Sequence, residues 1–157
     1  EEIEYFVDSC YYPPKGTRGF GPRRPTNYGR LGGDQYLEYA NEKIFVCAQV
    51  ESKKIVDDLD RIVNIQGLDS LCIGPMDLSG SVNKLGNTSD PEVVELIETI
   101  IQKGREAGLY IGMGMGSYPQ AALKAIKQGV QWCQCGSDME LLVNGGEQLY
   151  NDIREQL

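Results

Sequence analysis

The 157-residue chain contains no histidine. Histidine is the most common general base near neutral pH, so any base in this chain must be Asp, Glu, Lys, Tyr or Cys. The sequence also lacks a run of eighteen apolar residues and a signal-peptide pattern, so neither a membrane span nor secretion is predicted. Basic residues are outnumbered, with 15 Lys and Arg against 23 Asp and Glu and a formal net charge of −8, which argues against nucleic acid as a partner.

Cysteine is present in an odd number, five. Four of the five lie in strand-like runs, where we expect them to behave as small buried hydrophobes: Cys47, Cys72, Cys133 and Cys135. This usage predicts a reducing, cytoplasmic location rather than a disulfide framework. The Cys133-x-Cys135 pair has no second Cys or His pair to complete a metal site.

The length and the 41% apolar composition predict one soluble globular domain over residues 1–157. Four apolar runs, at 44–50, 71–73, 109–113 and 130–135, read as buried strands. Helical patterns follow them at 52–64, 90–107 and 117–128, and a last helix follows the Gly136-Ser137-Asp138 turn and reaches Leu157. Asp90 and Ser117 are predicted caps, with Pro91 at the first helical position after Asp90. Further helices are predicted at 1–10 and 31–41. Successive strand–helix units predict an all-parallel α/β sheet with right-handed crossovers, and four units make half of an eight-fold barrel.

Two carboxylates follow neighbouring strands of this predicted sheet. Glu51 closes the first strand, and Asp77 lies just past Gly74-Pro75, which ends the second. Ligands of α/β folds bind at the carboxyl ends of strands, and neighbouring strands lie about 4.8 Å apart. Two acids that close repel each other unless a cation or a proton lies between them, and hard oxygen ligands suit Mg²⁺ or Mn²⁺. The pattern therefore allows a metal site, with helix capping by each acid as the alternative.

Two other segments admit more than one interpretation. The glycines at 112, 114 and 116 resemble a phosphate loop, but position 117 is Ser and no Lys follows, so close backbone packing is the better explanation. The loop over residues 11–25 is rich in Pro and Gly, which excludes regular structure there. Its Arg18, Arg23 and Arg24 are candidates to hold an anionic ligand or a neighbouring subunit, and a solvated loop is the alternative. Residues 79–89 are expected to form a polar loop over the sheet edge.

Taken in order, the motifs of the chain resemble those of the HpcH/HpaI aldolases over essentially its whole length. The motifs that carry the resemblance are Tyr12-Pro13-Pro14-x-Gly16-x-Arg18-Gly19-x-Gly21, Gln49-x-Glu51, Gly74-Pro75-x-Asp77-Leu78-Ser79 and Gly136-Ser137-Asp138. The resemblance implies a (β/α)₈ TIM barrel, of which this chain is the carboxyl-terminal half with about the last four strand–helix units. It also implies a homo-oligomer, often a hexamer, because the last helix packs across a subunit interface in such enzymes.

By the same resemblance the activity is that of a class II, pyruvate-dependent aldolase. Such an enzyme reversibly cleaves a 4-hydroxy-2-oxoacid to pyruvate and an aldehyde through an enolate that a divalent metal ion stabilises. Glu51 and Asp77 are then the metal ligands, with Mg²⁺, Mn²⁺ or Co²⁺ as the ion. Gln49 and the backbone amides of Met76 and Asp77 hold the pyruvate carboxylate. The partners implied are the 2-oxoacid and the aldehyde, without nucleic acid or membrane.

The sequence departs from the family pattern in one respect. The catalytic His and a substrate-binding Arg of the family belong to the amino-terminal half of the barrel, so neither can be carried over, and no catalytic residue is assigned in this chain. The chain is either a fragment or a truncated homologue, and the fragment is favoured because an open half-barrel exposes two strand edges and one face of its core. We expect the chain alone to be inactive or nearly so.

Two alternatives to the aldolase remain open. The related citrate-lyase and malyl-CoA-lyase branch uses a similar acid pair on acyl-CoA substrates, although the Tyr12-Pro13-Pro14 and Gly74-Pro75-x-Asp77 motifs fit the aldolase branch better. A non-catalytic module that binds a metal or a 2-oxoacid is the other, and it is favoured by the absence of histidine.

Overall fold

The four predicted strands form one parallel sheet. The computed structural model describes the backbone of residues 1–157 and the side chains of residues 1–33 and 36–157. The strands are β1 (Cys47–Val50), β2 (Ser70–Ile73), β3 (Tyr110–Met115) and β4 (Trp132–Cys135). Each strand pairs in parallel with the next along the chain, in the order β1-β2-β3-β4. The predicted all-parallel α/β sheet is therefore confirmed.

Helices precede and separate these strands. They are α1 (Glu2–Cys10), α2 (Asp34–Lys43), α3 (Lys53–Asp57), α4 (Leu59–Ile62), α5 (Pro75–Ser81), α6 (Pro91–Glu106), α7 (Pro119–Lys127) and α8 (Asp138–Arg154). The predicted start of α6 is confirmed, because the Asp90 side chain caps it by accepting from the backbone N–H of Glu92 at 3.1 Å and Pro91 occupies the first helical position. In the part of the chain that the structure describes, no helix is both long and apolar enough to cross a bilayer.

The hydrophobic core lies on one face of the sheet. Side chains alternate across a strand, and those on the covered face are buried together with the apolar residues of α6. The strand residues of this core are Ala48, Val50, Leu71, Ile73, Ile111 and Met113. On the opposite face Gln49 is exposed, and Phe45 and Tyr110, just before β1 and at the start of β3, are about half exposed. The sheet is thus packed on one side and open on the other.

The segment before β1 is fastened to this core near the amino ends of the strands. Val7 of α1 is buried, and the Tyr11 hydroxyl donates to the carbonyl of Gly67 at 2.8 Å. Asn41 holds the backbone of Tyr12 from both sides, accepting from its N–H at 2.7 Å and donating to its carbonyl at 3.0 Å. The long loop between α1 and α2 therefore has an ordered beginning.

Four local predictions are wrong. The helix expected at 52–64 is interrupted at Asp58, whose backbone (φ −101°, ψ 10°) ends α3 and begins α4. A short 3₁₀ helix (Arg24–Thr26) occurs in the loop that was expected to exclude regular structure. The loop expected at 79–89 begins three residues later, at Val82, because Pro75 starts a helix as well as following the end of β2. Ser117 does not cap α7, which begins after Tyr118, because Ser117 hydrogen-bonds to Glu140 instead.

Close packing on the open face gives a testable prediction. A Cβ on Gly112 would lie 2.0 Å from Cε2 of the Trp132 ring, and that ring is held in place by a 3.0 Å hydrogen bond from its Nε1 to Ser70 Oγ. We expect Gly112→Ala to destabilise the chain by about 1–3 kcal/mol, because the ring must move. Gly145→Ala, where a Cβ meets open space in α8, should be neutral or stabilising. Urea denaturation of both variants compares the two; equal stability would contradict the packing argument.

Candidate functional site

Both predicted metal ligands lie at the carboxyl edge of the sheet. Glu51 directly follows β1, and Asp77 lies in the first turn of α5, which follows β2. Val50 pairs with Ile73, and the backbone N–H of Gly74 donates to the carbonyl of Val50 at 3.1 Å. The two acids therefore belong to adjacent strand ends, as the sequence predicted.

Glu51 is oriented by Gln49 and by the absence of a side chain at Gly74. The Gln49 amide donates from Nε2 to Glu51 Oε2 at 2.6 Å. A Cβ at Gly74 would lie 3.2 Å from Gln49 Nε2 and 3.2 Å from Glu51 Oε2. The side chains of Gln49 and Glu51 thus lie close to Gly74, three residues before Asp77. A larger residue at position 74 would restrict the space that they occupy.

Neither acid caps a helix in the part of the chain that the structure describes. Ser52 is the N-cap of α3 and Gly74 that of α5, and in neither helix does a side chain accept a capping hydrogen bond. No Lys or Arg forms a described ion pair with Glu51 or Asp77. Among the described residues, neither acid therefore accepts a capping hydrogen bond, and Asp77 gains from its place in the first turn of α5 through the helix dipole.

The donor set fits a hard divalent cation. Glu51 is half-buried and Asp77 is exposed, so both can receive a ligand. Within the described residues no group of three or more His, Cys, Asp or Glu side chains could hold a metal ion. Glu51 and Asp77 are oxygen donors of the kind that Mg²⁺ and Mn²⁺ take, and these ions are commonly held by one or two carboxylates with water or substrate as the other ligands.

The backbone amides of Met76 and Asp77 lie at the start of α5. In the first turn of a helix the N–H groups have no intrahelical acceptor. Leu78 is the first residue here whose N–H bonds back, to the carbonyl of Gly74 at 2.9 Å. Two amides are therefore available beside Asp77, although no described hydrogen bond connects Asp77 with Gln49 or Glu51.

The four strand cysteines are less buried than predicted. Cys47, Cys72 and Cys133 are half-buried, and Cys135, at the end of the edge strand β4, is exposed. Hydrogen bonding from Cys72, opposed by burial, lowers the pKa of the Cys47 thiol to about 7. The same contact and burial raise the pKa of Cys72. Sequence position alone could not reveal this pairing, because it depends on the register of β1 and β2.

A cavity of about 400 Å³ is lined by residues of α6, α7 and the end of β3. Pro75 and Met76, which immediately precede Asp77, also line it, as do Gly116 and Tyr118. The remaining lining is mainly apolar and includes Val94, Ile97, Met113, Met115, Ala121 and Ala125. The sequence gives no sign of this cavity, because its lining comes from four separate segments of the chain.

Among the described contacts, none joins Arg18, Arg23 or Arg24 of the long loop to Gln49, Glu51 or Asp77. The Arg18 guanidinium lies 4.7 Å from the centre of the Tyr12 ring and donates to the carbonyl of Cys10 at 3.5 Å. Arg23 and Arg24 are exposed. Arg18 therefore has a local packing role, and the anion-binding role of Arg23 and Arg24 stays a prediction.

A parallel sheet of successive βα units with polar groups at its carboxyl edge defines the class of α/β proteins that bind ligands there. A family model described as HpcH/HpaI aldolase/citrate lyase matches residues 1–145, and the chain belongs to this family. The predicted family is therefore confirmed.

Curated relatives and solved structures agree with this assignment. The chain is 34% identical over 158 residues to the 2-keto-3-deoxy-L-rhamnonate aldolase of Escherichia coli O9:H4 (strain HS), covering 99% of this chain and 55% of the relative. The protein of the same name from Salmonella paratyphi B is 36% identical over 143 residues, covering 90% of this chain and 52% of the relative. The chain spans about half the length of these relatives.

The structural comparisons confirm the fold family. An HpcH/HpaI aldolase/citrate lyase family protein from Burkholderia cenocepacia J2315 superposes with a TM-score of 0.87 at 28% identity, covering 98% of this chain and 60% of that one. The HpcH/HpaI aldolase from Desulfitobacterium hafniense DCB-2 gives a TM-score of 0.82 at 29% identity, covering 95% and 57%. The chain thus corresponds to about three fifths of the length of these members of a TIM-barrel family.

Proposed function

We propose that this chain is the metal-binding part of a class II aldolase that reversibly cleaves a 4-hydroxy-2-oxoacid to pyruvate and an aldehyde. The observation that carries the proposal is the placement of Glu51, oriented by Gln49, beside the strand end that leads to Asp77. The substrate class proposed is the 2-keto-3-deoxy sugar acids, supported by the names of the relatives.

In this proposal Glu51 and Asp77 hold a Mg²⁺, Mn²⁺ or Co²⁺ ion. When bound, such an ion supplies Lewis-acid chemistry at the oxygens of the 2-oxoacid. Gln49 fixes the orientation of Glu51 through the 2.6 Å hydrogen bond, which is the kind of outer-shell support that metal ligands require. The amides of Met76 and Asp77 bind the pyruvate carboxylate, favoured by the positive end of the α5 dipole.

The general base of the proposed reaction comes from outside this chain. The base must take the proton of the C4 hydroxyl when the C3–C4 bond breaks, and the chain has no histidine. In the family that base is a His of the amino-terminal half of the barrel, so the proposed active enzyme contains both halves. Within this enzyme, residues 1–157 form a single domain. The proposed compartment is the cytoplasm, which the free thiols support.

The proposed enzyme is a homo-oligomer. Helix α8 has no buried residue in the described chain and exposes many apolar side chains: Met139, Leu141, Leu142, Val143, Leu149, Tyr150 and Ile153. A helix with such a surface requires a partner. A second copy, as the family resemblance implies, supplies that partner in the proposed assembly.

The second candidate function is cleavage of an acyl-CoA substrate. It is favoured by the description of the matching family, which covers citrate lyase as well as aldolase. The two functions separate by substrate, because only the aldolase acts on a free 2-oxoacid.

The proposed function is tested by mixing the chain with a polypeptide that carries the unmatched amino-terminal part of the E. coli relative. We expect pyruvate release from 2-keto-3-deoxy-L-rhamnonate that requires Mg²⁺ or Mn²⁺ and stops with EDTA, and no cleavage of malyl-CoA. Cleavage of malyl-CoA alone would favour the acyl-CoA lyase. Binding of metal and pyruvate without any turnover would leave the non-catalytic binding module.

A further inference from the structure

Helix α8 is joined to the rest of the chain by a small set of polar contacts. It has 17 residues, about 25 Å of helix, and none of them is buried. In the part of the chain that the structure describes, the side-chain hydrogen bonds from α8 to residues outside the helix and its cap are those of Glu140 and Asn144, and both residues bond to Ser117. The position of α8 on the rest of the chain therefore depends strongly on Glu140, Asn144 and Ser117.

Glu140 is the centre of these contacts. Its Oε1 accepts from the Ser117 backbone N–H at 3.0 Å and from the Ser117 hydroxyl at 2.8 Å. Asn144, one turn further along α8, donates from Nδ2 to Ser117 Oγ at 3.1 Å. These hydrogen bonds, that from the Ser117 backbone first, lower the pKa of the Glu140 carboxyl, so it is charged near neutral pH.

Two glycines make room for this carboxylate. A Cβ on Gly136 would lie 3.0 Å from Glu140 Oε2 and 3.1 Å from Ser117 Cβ. A Cβ on Gly116 would lie 3.3 Å from Glu140 Oε1 and 2.9 Å from the Tyr118 ring. The loop after β4 is also tied to β3, because the Gly136 N–H donates to the Met115 carbonyl at 2.9 Å. The loops after β3 and β4 and the first turns of α8 thus meet at one carboxylate.

This junction borders a cavity that reaches the segment before Asp77. Gly116 and Tyr118, on either side of Ser117, line this cavity together with Pro75 and Met76, which immediately precede Asp77. We infer that Glu140 is a positioning residue: by holding Ser117 it fixes the loop 116–118 to the first turns of α8. It thereby shapes the space for the part of the substrate beyond the pyruvate unit. That last role rests on the proposed function, whereas the fastening of Ser117 to α8 does not.

The fastening is tested by hydrogen exchange of the chain itself. In Glu140→Ala the Ser117 amide loses its acceptor, so a peptide covering residues 114–118 should exchange faster by about tenfold or more. Glu140→Gln retains a carbonyl acceptor without charge and should keep most of the protection. Glu147→Ala is the matched control, an exposed Glu on the same helix, and should leave this peptide unchanged. Unchanged exchange in Glu140→Ala, or equal exchange in the Gln and Ala variants, would overturn the inference.

The substrate-shaping role is tested in the same variants mixed with the amino-terminal part of the relative. For Glu140→Ala we expect the KM for the 4-hydroxy-2-oxoacid to rise by about three- to tenfold with kcat within about twofold, because uniform binding is lost. Glu140→Gln should restore the KM, and Mn²⁺ and pyruvate binding should not change. An equal fall in kcat and kcat/KM would contradict a positioning role. If the wild-type mixture shows no turnover, the proposed function fails, while the exchange result still decides whether Glu140 fastens the loop.

Discussion

Replacing Glu51 by Gln and Asp77 by Asn together is expected to weaken Mn²⁺ binding by at least about 100-fold. Loss of one outer-shell partner alone costs about 10- to 100-fold in metal affinity, and this variant loses two charged ligands. Each substitution keeps the size of the side chain, so the loss of charge is tested with little change in packing. Calorimetric titration of Mn²⁺ into wild type and variant, with and without pyruvate, provides the measurement.

The pyruvate arm of this titration separates a substrate site from a simple cation site. In wild type we expect Mn²⁺ affinity to increase when pyruvate is present, because a 2-oxoacid supplies ligands that two carboxylates leave open. Glu98→Gln, which neutralises an exposed carboxylate on α6, should bind Mn²⁺ like wild type. A folded wild-type chain that binds no Mn²⁺ would show that the two carboxylates do not converge without further strands. Binding that persists in the double variant would place the ion elsewhere.

The parts of the fold that could be predicted from the sequence depend on local patterns. Leu71 and Ile73 of the apolar run 71–73 are buried because they lie on the covered face of the sheet, and the succession of such runs with helical patterns dictates parallel pairing. Asp90-Pro91 marks the start of α6 because a carboxylate cap and a proline satisfy the same helix end. Each of these features is determined by a few residues that are neighbours in the chain, so it can be recognised from the sequence.

The failures are features in which a residue has two competing roles. The sequence pattern predicts that Pro75 ends a strand, but proline also begins helices, and α5 starts at Pro75. Ser117 carries a typical capping side chain, but Glu140, 23 residues further along the chain, is a stronger partner because it is charged. Such outcomes depend on contacts between distant segments, which periodicity does not encode.

The candidate site shows the same division. The placement of Glu51 and Asp77 could be predicted because strand ends define the carboxyl edge of a parallel sheet. The hydrogen bond from Gln49 to Glu51 and the space at Gly74 could not, because they depend on the exact register of β1 and β2. The cavity lined by Pro75 and Met76 could not be predicted either, because four separate segments of the chain form it.

The largest difference is expected between the chain alone and the chain supplied with amino-terminal strands. The face of the sheet that carries Gln49 is open in the structure, with Phe45 and Tyr110 about half exposed and packed against each other at 6.0 Å between ring centres. Further strands that cover this face would bury apolar surface and, in this family, bring the general base. We expect the chain alone to cleave the 4-hydroxy-2-oxoacid at least about 100-fold more slowly than the mixture, because a positioned base contributes about 10²- to 10⁴-fold.

Coupled detection of pyruvate gives the rate, with the amino-terminal part alone and the Glu51→Gln/Asp77→Asn chain plus that part as controls; both should be inactive. Activity of the mixture requires that this chain supply the metal ligands and that the amino-terminal part supply the base. If the wild-type chain alone matched the mixture, the base would have to lie among its own residues. Cys47, half-buried on the open face with a pKa of about 7, would then be the first residue to replace, by Ser. A mixture that stays inactive while Mn²⁺ and pyruvate bind would instead leave the chain with a binding role only.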